Sequence, residues 1–427
     1  VAAGGINSFE NEDDMTMRDG FFRAVSTAEF RALLRSFAPL GSQTVGLAAA
    51  CSRVLCADVI AGEDLPPASR AAMDGYAVRA AEVFGAGESN PGYLDLAMDI
   101  PIGVIPPQAL PAGHCARIVT GAFLPAGADA VVMMEYAEDL GAGAIEIRRP
   151  VAPGDNVMLA GEDATTGQLA LPAGTLLRPQ EIGLLAALGV VNVAVGKTPS
   201  VALLSTGDEL VPAEATPRPG QIRDVNSHTL AAMLAQAGAA PATFPLVPDD
   251  LDSIRQALEN AVAGHDLTLL SGGSSVGARD FTLEALRALG ADILAHGVAV
   301  SPGKPTILAN LGGKPVIGLP GQVTSAQVVL LLFGLPLLGH LAGDPAAFDR
   351  APRTFPAVLS RNVASKQGRE DHVRVRLEQR PGELPLAHPV LGKSGLLKTL
   401  LMADGLLAIP ADLEGLAGNT VVAVRPI

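Results

Sequence analysis

The stretch from Asp266 to Ala326 decides the fold: DLTLLSGGSSVGARDF (266–281), then ALRAL (285–289), HGVAVSPGKP (296–305) and GGKPVIGLPGQVTSA (312–326). The apolar run Leu267 to Leu270 is short and stops at Gly272-Gly273, the pattern of a buried parallel strand that ends in a tight turn before a helix. A second strand, Pro315 to Leu319, ends at Pro320-Gly321 and meets Thr324-Ser325, expected to cap the apolar helix that follows. In an open α/β sheet the carboxyl ends of such strands form the ligand crevice. Free N–H groups at helix starts favour anions, and glycine lets a phosphate approach the main chain. Between the two turns, Ser301-Pro302-Gly303-Lys304-Pro305 holds a lysine between prolines. The expectation is an anion pocket with one fixed cation, against the plainer alternative of ordinary strand-to-helix turns.

Upstream, the pattern alternates in the same way. Val201 to Leu204 and Ala242 to Val247 read as strands, and the segments near 228–236 and 251–262 as helices. The alternation predicts a doubly wound, mostly parallel sheet with helices on both faces. Acidic residues fall at its strand ends, Asp208-Glu209 in STGDEL and Asp249-Asp250 in VPDD. With Asp280 they suit a hard divalent cation beside phosphates, since Mg²⁺ takes one or two carboxylates plus phosphate oxygens. Helix N-capping would use Asp249-Asp250 or Asp280 equally well.

Residues 1–18 lack the basic start and apolar segment of a signal peptide and are expected to form a mobile leader. Ser26-Thr27-Ala28-Glu29 is a capping-box pattern that opens a helix to Phe37, and a second helix is expected through Cys56. From Leu65-Pro66-Pro67 to about Arg149 the chain is rich in Gly and Pro with short β-type runs such as Ala116 to Val119 and Ala130 to Met134, the pattern of a small β domain. Asp74-Gly75 and Thr120-Gly121 lie at its turns, where turn chemistry alone accounts for them. Arg178-Pro179-Gln180-Glu181 opens an Ala/Leu-rich helix, and Glu181 suits its positive end. The expected domains are 19–65 with 154–196 as one elongated discontinuous α+β unit, 66–153 as a β domain inserted in it, 197–343 as the α/β domain, and 344–427 as a C-terminal β barrel. That last domain alternates apolar and polar residues, as in His372 to Leu377, and its Gly392-Lys393-Ser394-Gly395 lacks the upstream glycine of a P-loop.

A chain of 427 residues exceeds one compact core, and 48% hydrophobic with 17% charged residues suits a well-buried globular protein. A net charge of -14, no Trp and 4% aromatics argue against nucleic acid as the main partner. Cys51, Cys56 and Cys115 form no CxxC pair, and an odd count argues against a disulfide framework, so a reducing cytoplasm is the simplest setting. The apolar series Val328 to Leu338 is broken by Gly334 and Pro336 and reads as a buried helix rather than a membrane span.

Taken in order, MDGYAV, RIVTGAFLPAGADAVV, AGEDATTGQLALPAGTLL, STGDEL, SGGSSVGARD, SPGKP, GLPG and KSGLLKTLLMADGLLAIP resemble the molybdopterin molybdenumtransferase family, which is related to the E domain of gephyrin. The resemblance runs from about residue 24 to the C-terminus. It implies four domains, a central one similar to molybdopterin adenylyltransferases, and a homodimer with a site between subunits. It also implies Mg²⁺-dependent insertion of molybdate into adenylylated molybdopterin with release of AMP. Possible protein partners are a molybdopterin adenylyltransferase and molybdoenzyme chaperones. Carried over by motif, the functional positions are Asp74, Thr120, Glu162, Asp163, Glu181, Asp249, Asp280, Lys304, Pro320 and Ser325. Asp249 and Asp280 are assigned to metal and pyrophosphate, Lys304 with Ser275 and Ser325 to oxyanions. Gly272, Gly273, Pro302, Gly303 and Gly321 complete the substrate turns. The chain departs from the family pattern at Met158-Leu159, where many relatives carry arginines, at Ser301, and in Gly321-Gln322-Val323-Thr324-Ser325 where GNPVS is usual. Fewer cations leave open a tungstate preference, and a non-catalytic molybdopterin-binding or scaffold protein is the alternative.

Overall fold

A computed structural model describes residues 24–272 and 281–427; the expected leader, Gly273, Ser275 and Asp280 lie outside the described residues. The chain divides into two compact units, Ser42–Val195 and the remainder. In the larger unit six strands form one sheet: β1 (Ser200–Ser205), β2 (Ala240–Thr243), β3 (Leu267–Ser271), β4 (Asp292–His296), β5 (Ile307–Leu311) and β6 (Lys314–Leu319), in the order β2-β1-β3-β6-β5-β4. The pairs β1/β2, β1/β3 and β3/β6 are parallel, and β5 runs antiparallel to both neighbours. The antiparallel strand was not anticipated. It arises at Gly312-Gly313, both at positive φ (62° and 84°), which close a two-residue hairpin.

Strand periodicity sorts the core. Val201 and Leu203 pack on one face with Leu230 and Leu234 of α2 (Asn226–Gln236) and with Val328 and Val329 of α5 (Val323–Val329). Ala202 and Leu204 pack on the other with Ile254 and Leu258 of α3 (Leu251–Gly264) and Leu286 of α4 (Phe281–Ala288). Alternate residues of one strand therefore serve opposite helix layers, which makes the sheet doubly wound. α3 starts where Asp250 accepts a hydrogen bond from Ser253 N (2.9 Å), and it buries Ile254, Leu258 and Ala261 along one stripe. α5 continues through a π-turn at Leu330–Gly334 into Leu335–Leu341. Among the described residues this 19-residue run is the one helix long and apolar enough to cross a membrane; most of its apolar window is buried in the core.

The capping box at α1 (Thr27–Leu34) forms as expected: Ser26 N donates to Glu29 Oε2 (2.7 Å) and Glu29 N to Ser26 Oγ (3.1 Å). Its partner differs from the sequence reading, which joined it to residues 154–196. Phe30 and Leu34 are fully buried in the α/β core, and the Phe30 ring centre lies 4.7 Å from that of Phe333. Residues 355–359, 370–378, 386–389, 405–409 and 421–426 close a five-stranded C-terminal barrel around Leu359, Val375, Leu407 and Val424.

In the smaller unit, Ala50, Leu55, Leu171, Leu177, Leu185 and Val195 share one cluster, so two separated segments build a common core. Between them in sequence lies a six-stranded sheet formed by residues 75–78, 92–100, 114–118, 130–133, 137–139 and 144–147. The helix expected through Cys56 is absent. Ser42–Gly46 is a strand and Leu47–Ala49 a single 3₁₀ turn, because this segment pairs with Asn192–Gly196 rather than burying a helical stripe. The three cysteines are free.

Phe30→Ala should cost about 3–5 kcal/mol. In denaturant unfolding it is expected to lower the transition of the larger unit and leave that of Ser42–Val195 in place; the reverse would put α1 in the wrong core.

Candidate active site

Three turns meet at the carboxyl ends of β1, β3 and β6. Gly272 sits at φ 112°, and a Cβ there would lie 2.2 Å from the Thr206 carbonyl oxygen. Only glycine fits, because the obstacle is backbone. A Cβ on Gly321 would lie 3.8 Å from Gly272 Cα, so the GLPG and SGG turns are neighbours. Asn226, buried at the start of α2, ties them: its Nδ2 donates to Ser271 Oγ (2.6 Å) and to the Gly321 carbonyl (2.8 Å). Asp224 beside it accepts from Ser205 Oγ (3.3 Å) and Ser227 N (3.1 Å). Neither Asp224 nor Asn226 was singled out from sequence; the polar run Asp224-Val225-Asn226-Ser227 ahead of an apolar helix was their only trace.

The SPGKP turn packs onto α5. A Cβ on Gly303, at φ 131°, would lie 2.6 Å from Val329 Cγ2 and 4.0 Å from the Ser325 carbonyl oxygen. Pro302 follows a cis peptide bond. The Lys304 carbonyl accepts from Val298 N and Thr306 N (both 2.9 Å), which fixes the backbone while the side chain stays exposed. Ser301 pairs in register with Asp371 of the barrel. Burial pushes the Asp371 carboxyl up, but hydrogen bonds from Ser365, Ser301 and Arg369 together outweigh it and hold the group below its usual range. Pro320 is buried at the end of β6. Thr324 and Ser325 do not cap α5: Gln322 occupies the N-cap, and both residues are buried in the first turn. Thr324 N instead donates to the Ser394 carbonyl (3.1 Å), which brings the barrel's Gly392–Gly395 loop to the start of α5. Arg374 Nη2 holds that loop by donating to the Gly392 carbonyl (2.8 Å).

The acidic pair VPDD separates into two roles. Asp250 caps α3, whereas the Asp249 side chain faces Asp208 and Glu209. Asp249 N donates to Asp208 Oδ1 (3.0 Å). Burial first, then the charges of Asp208 and Glu209, hold the Asp249 carboxyl above its ordinary range. The Thr206 hydroxyl pulls the other way without reaching hydrogen-bond geometry. Among the described residues, Asp249 Oδ1 and Thr206 Oγ1 are thus buried polar atoms without a partner, the condition a bound cation or substrate oxygen would relieve. No cluster of three metal-ligating side chains occurs among the described residues. Mg²⁺ shared with phosphates needs only one or two carboxylates.

The smaller unit carries the remaining candidates. Asp74 Oδ1 accepts from both the backbone N and the hydroxyl of Thr120 (2.7 Å each), a pairing across 46 residues that keeps the carboxyl below its usual range. Glu162 Oε2 accepts from Leu159 N (2.9 Å), and Asp163 is exposed with its N–H donating to the Leu65 carbonyl (2.9 Å). Asp64 braces that turn by accepting from Thr166 N and Oγ1 (2.7 Å each). Glu181 Oε2 accepts from Arg178 N (2.8 Å), and the Arg178 guanidinium bonds both carboxylate oxygens. These bonds bring the Glu181 carboxyl down to about 2, which gives it a helix-start role in the described structure. Arg70 pairs in register with Met158, and its guanidinium lies 4.5 Å from the centre of the Phe123 ring.

A doubly wound domain with glycine turns at its switch point, joined to a C-terminal barrel, defines an α/β protein with an anion-suited crevice. The family descriptions match accordingly: "MoeA N-terminal region (domain I and II)" over residues 25–189, "Probable molybdopterin binding domain" over 202–340, and "MoeA C-terminal region (domain IV)" over 356–427. "Molybdopterin molybdenumtransferase 2" of Mycobacterium tuberculosis is 36% identical over 400 residues, 92% of this chain and 96% of that protein. "Molybdopterin molybdenumtransferase" of Staphylococcus aureus is 31% identical over 379 residues, 88% of this chain and 90% of that one. A crystal structure of the molybdopterin biosynthesis MoeA protein from Pyrococcus horikoshii OT3 superposes with a TM-score of 0.79 at 30% identity, covering 95% of this chain and all of that one. The chain belongs to the molybdopterin molybdenumtransferase (MoeA) family of molybdenum cofactor biosynthesis.

Thr120→Val removes one of two donors to Asp74. By NMR titration the Asp74 pKa should rise part of the way to its ordinary range; an unchanged value would separate the two residues.

Proposed function

We propose that this chain inserts molybdate into adenylylated molybdopterin, with Mg²⁺-dependent release of AMP. The observation that carries the reading is the meeting of the Thr206, Gly272 and Gly321 turns beside a half-buried, partner-poor Asp249. Adenylylated molybdopterin and molybdate are both anions, and their approach costs Coulomb energy in a chain of net charge -14. The glycine turns let a polyanion lie against main-chain N–H groups. Lys304, exposed on a backbone held at both ends of the turn, offers an ammonium group to an oxyanion. Asp249 with Asp208 would hold Mg²⁺, which when bound offsets charge on the pyrophosphate link. Asp280, Gly273 and Ser275 belong to the same proposal by motif. With positioning and charge neutralisation, the anhydride can be cleaved without a Ser-His-Asp nucleophile. Asp74 with Thr120, Asp163 and Glu181 are carried into the proposal by motif as substrate-handling residues, and a cytoplasmic homodimer is proposed as the working form.

The test is AMP release from adenylylated molybdopterin on adding molybdate and Mg²⁺. Lys304→Ala and Asp249→Asn should each lower the rate by about a hundredfold, on the scale of losing one electrostatic contact to developing charge. Binding without turnover in the unmodified chain would make it a molybdopterin-binding scaffold instead.

Asp249 also yields a stability prediction. A carboxyl whose folded pKa is raised stabilises the fold below its ordinary pKa, and that stability is lost as pH rises through the folded value. At pH 7 Asp249→Asn should therefore raise the metal-free Tm, with the gain vanishing toward pH 3.5. Mg²⁺ should raise the Tm of the unmodified chain and leave the variant's unchanged; an equal Mg²⁺ effect on both would remove Asp249 from the metal site.

A further inference from the structure

A cleft of about 840 Å³ lies at the other end of the α5 run, between Leu332–Gly339, the connecting segment 344–354 and the barrel. Its charges do not balance locally. Of its acids, Asp344 pairs with Arg350 (3.0 Å), Asp349 with Arg35, and Glu370 with His372. His372 Nε2 is 2.7 Å from Glu370 Oε1, close enough for an ion pair though off the line of a hydrogen bond. Three cations that line the cleft, Arg31, Arg353 and Arg425, form no salt bridge among the described residues, although the Arg31 charge, after His372, helps hold the Glu370 carboxyl below its usual range.

Two of these arginines are held in place. Arg31 lies on the buried-face side of α1, its guanidinium 6.0 Å from the centre of the Phe333 ring. Arg425, half-buried, donates from Nη2 to the Leu331 carbonyl at 3.5 Å, inside the π-turn that interrupts the helix run. Burial first, and the neighbouring Arg31 charge second, disfavour the Arg425 cation. Two like charges that converge in a partly desolvated cleft cost free energy unless an anion joins them. The remaining wall is apolar, with Leu335, Leu406, Leu413 and Val422. The cleft has the volume of a small-molecule site, and its wall combines several charged side chains with an apolar face.

We propose that this cleft is a second ligand site, for a small phosphorylated molecule with a flat apolar body. The phosphate would bridge Arg31 and Arg425, with Arg353 at the rim, and the ring would lie on the leucine wall. Arginine forks bind phosphate oxygens in pairs, and a dianion answers an excess of cations better than one carboxylate does. The site is built from residues other than the glycine turns and Lys304, so it stands independently of the molybdenum-insertion reading. Glu370 lines the cleft while its neighbour Asp371 pairs in register with Ser301, so one barrel strand borders both places.

Isothermal titration of the full chain with 1-naphthyl phosphate tests this, with 1-naphthol and inorganic phosphate as the two halves of the probe. One saturable site is expected, with each half binding at least about tenfold more weakly. Arg425→Met, which keeps an unbranched apolar stem and removes the charge, should weaken 1-naphthyl phosphate by about tenfold or more. Arg31→Gln should do the same and serves if Arg425→Met does not fold by circular dichroism. Lys304→Ala should leave this affinity unchanged. The proposal is overturned by absence of saturable binding, by affinity that survives both arginine variants, or by affinity lost in Lys304→Ala, which would put the probe in the glycine-turn pocket. Binding of a hexaglutamate peptide in place of 1-naphthyl phosphate would also overturn it, in favour of a protein partner.

Discussion

The carbonyl oxygen of Thr206 leaves no room for a side chain at position 272, and much of the larger unit follows from that contact. It sets the ends of β1 and β3 side by side where the strand order turns outward to β2 on one flank and β6 on the other. Helices leaving such a point diverge, and the gap between them is the crevice of an open α/β sheet. Thr206 N donates to Ser271 O (2.9 Å), so the same two strand ends are joined by a bond as well as by close contact. Asn226 then secures the third turn through the Gly321 carbonyl. Buried amides and hydroxyls that satisfy one another make a stiff frame, and a stiff frame keeps backbone N–H groups aimed without reorganisation.

Charge is the second constraint. Burial first, and the acids beside the crevice second, raise the Asp249 carboxyl, so its negative charge is held there at a cost. Such a cluster is stable when a cation joins it and unfavourable for bare oxyanions. Lys304 is exposed in the SPGKP turn, with its carbonyl held by Val298 N and Thr306 N. In the proposed reading the carboxylates would serve a metal, the Lys304 ammonium an oxyanion, and the glycine turns the larger polyanion.

Much of this was legible in the sequence where the signal is local. Apolar runs that stop at glycine marked β3 and β6, and the Ser26/Glu29 spacing marked the start of α1. The partner of α1 was not legible, because an amphipathic stripe says that a helix is buried and not against what. The segment through Cys56 was misread as helix for a related reason: its strand is settled by a partner some 150 residues away. Asp249 and Asp250 are adjacent in sequence and equally good caps, and only the folded chain shows that Asp250 caps α3 while Asp249 faces two other acids. Asn226 and Ser394 went unassigned since their bonds to Gly321 and Thr324 span 95 and about 70 residues. Glu181 was legible in the bland sense, as an acid at a helix start, and its bonds to Arg178 fit that sense.

Anomalous X-ray diffraction from crystals soaked in tungstate, an isostere of molybdate, is the most direct measurement of the central claim. The account predicts one strong peak within hydrogen-bond reach of Lys304 Nζ, against the turn that packs on Ser325. A peak confined to the arginine cleft, or none beside Lys304 at saturating tungstate, would contradict it.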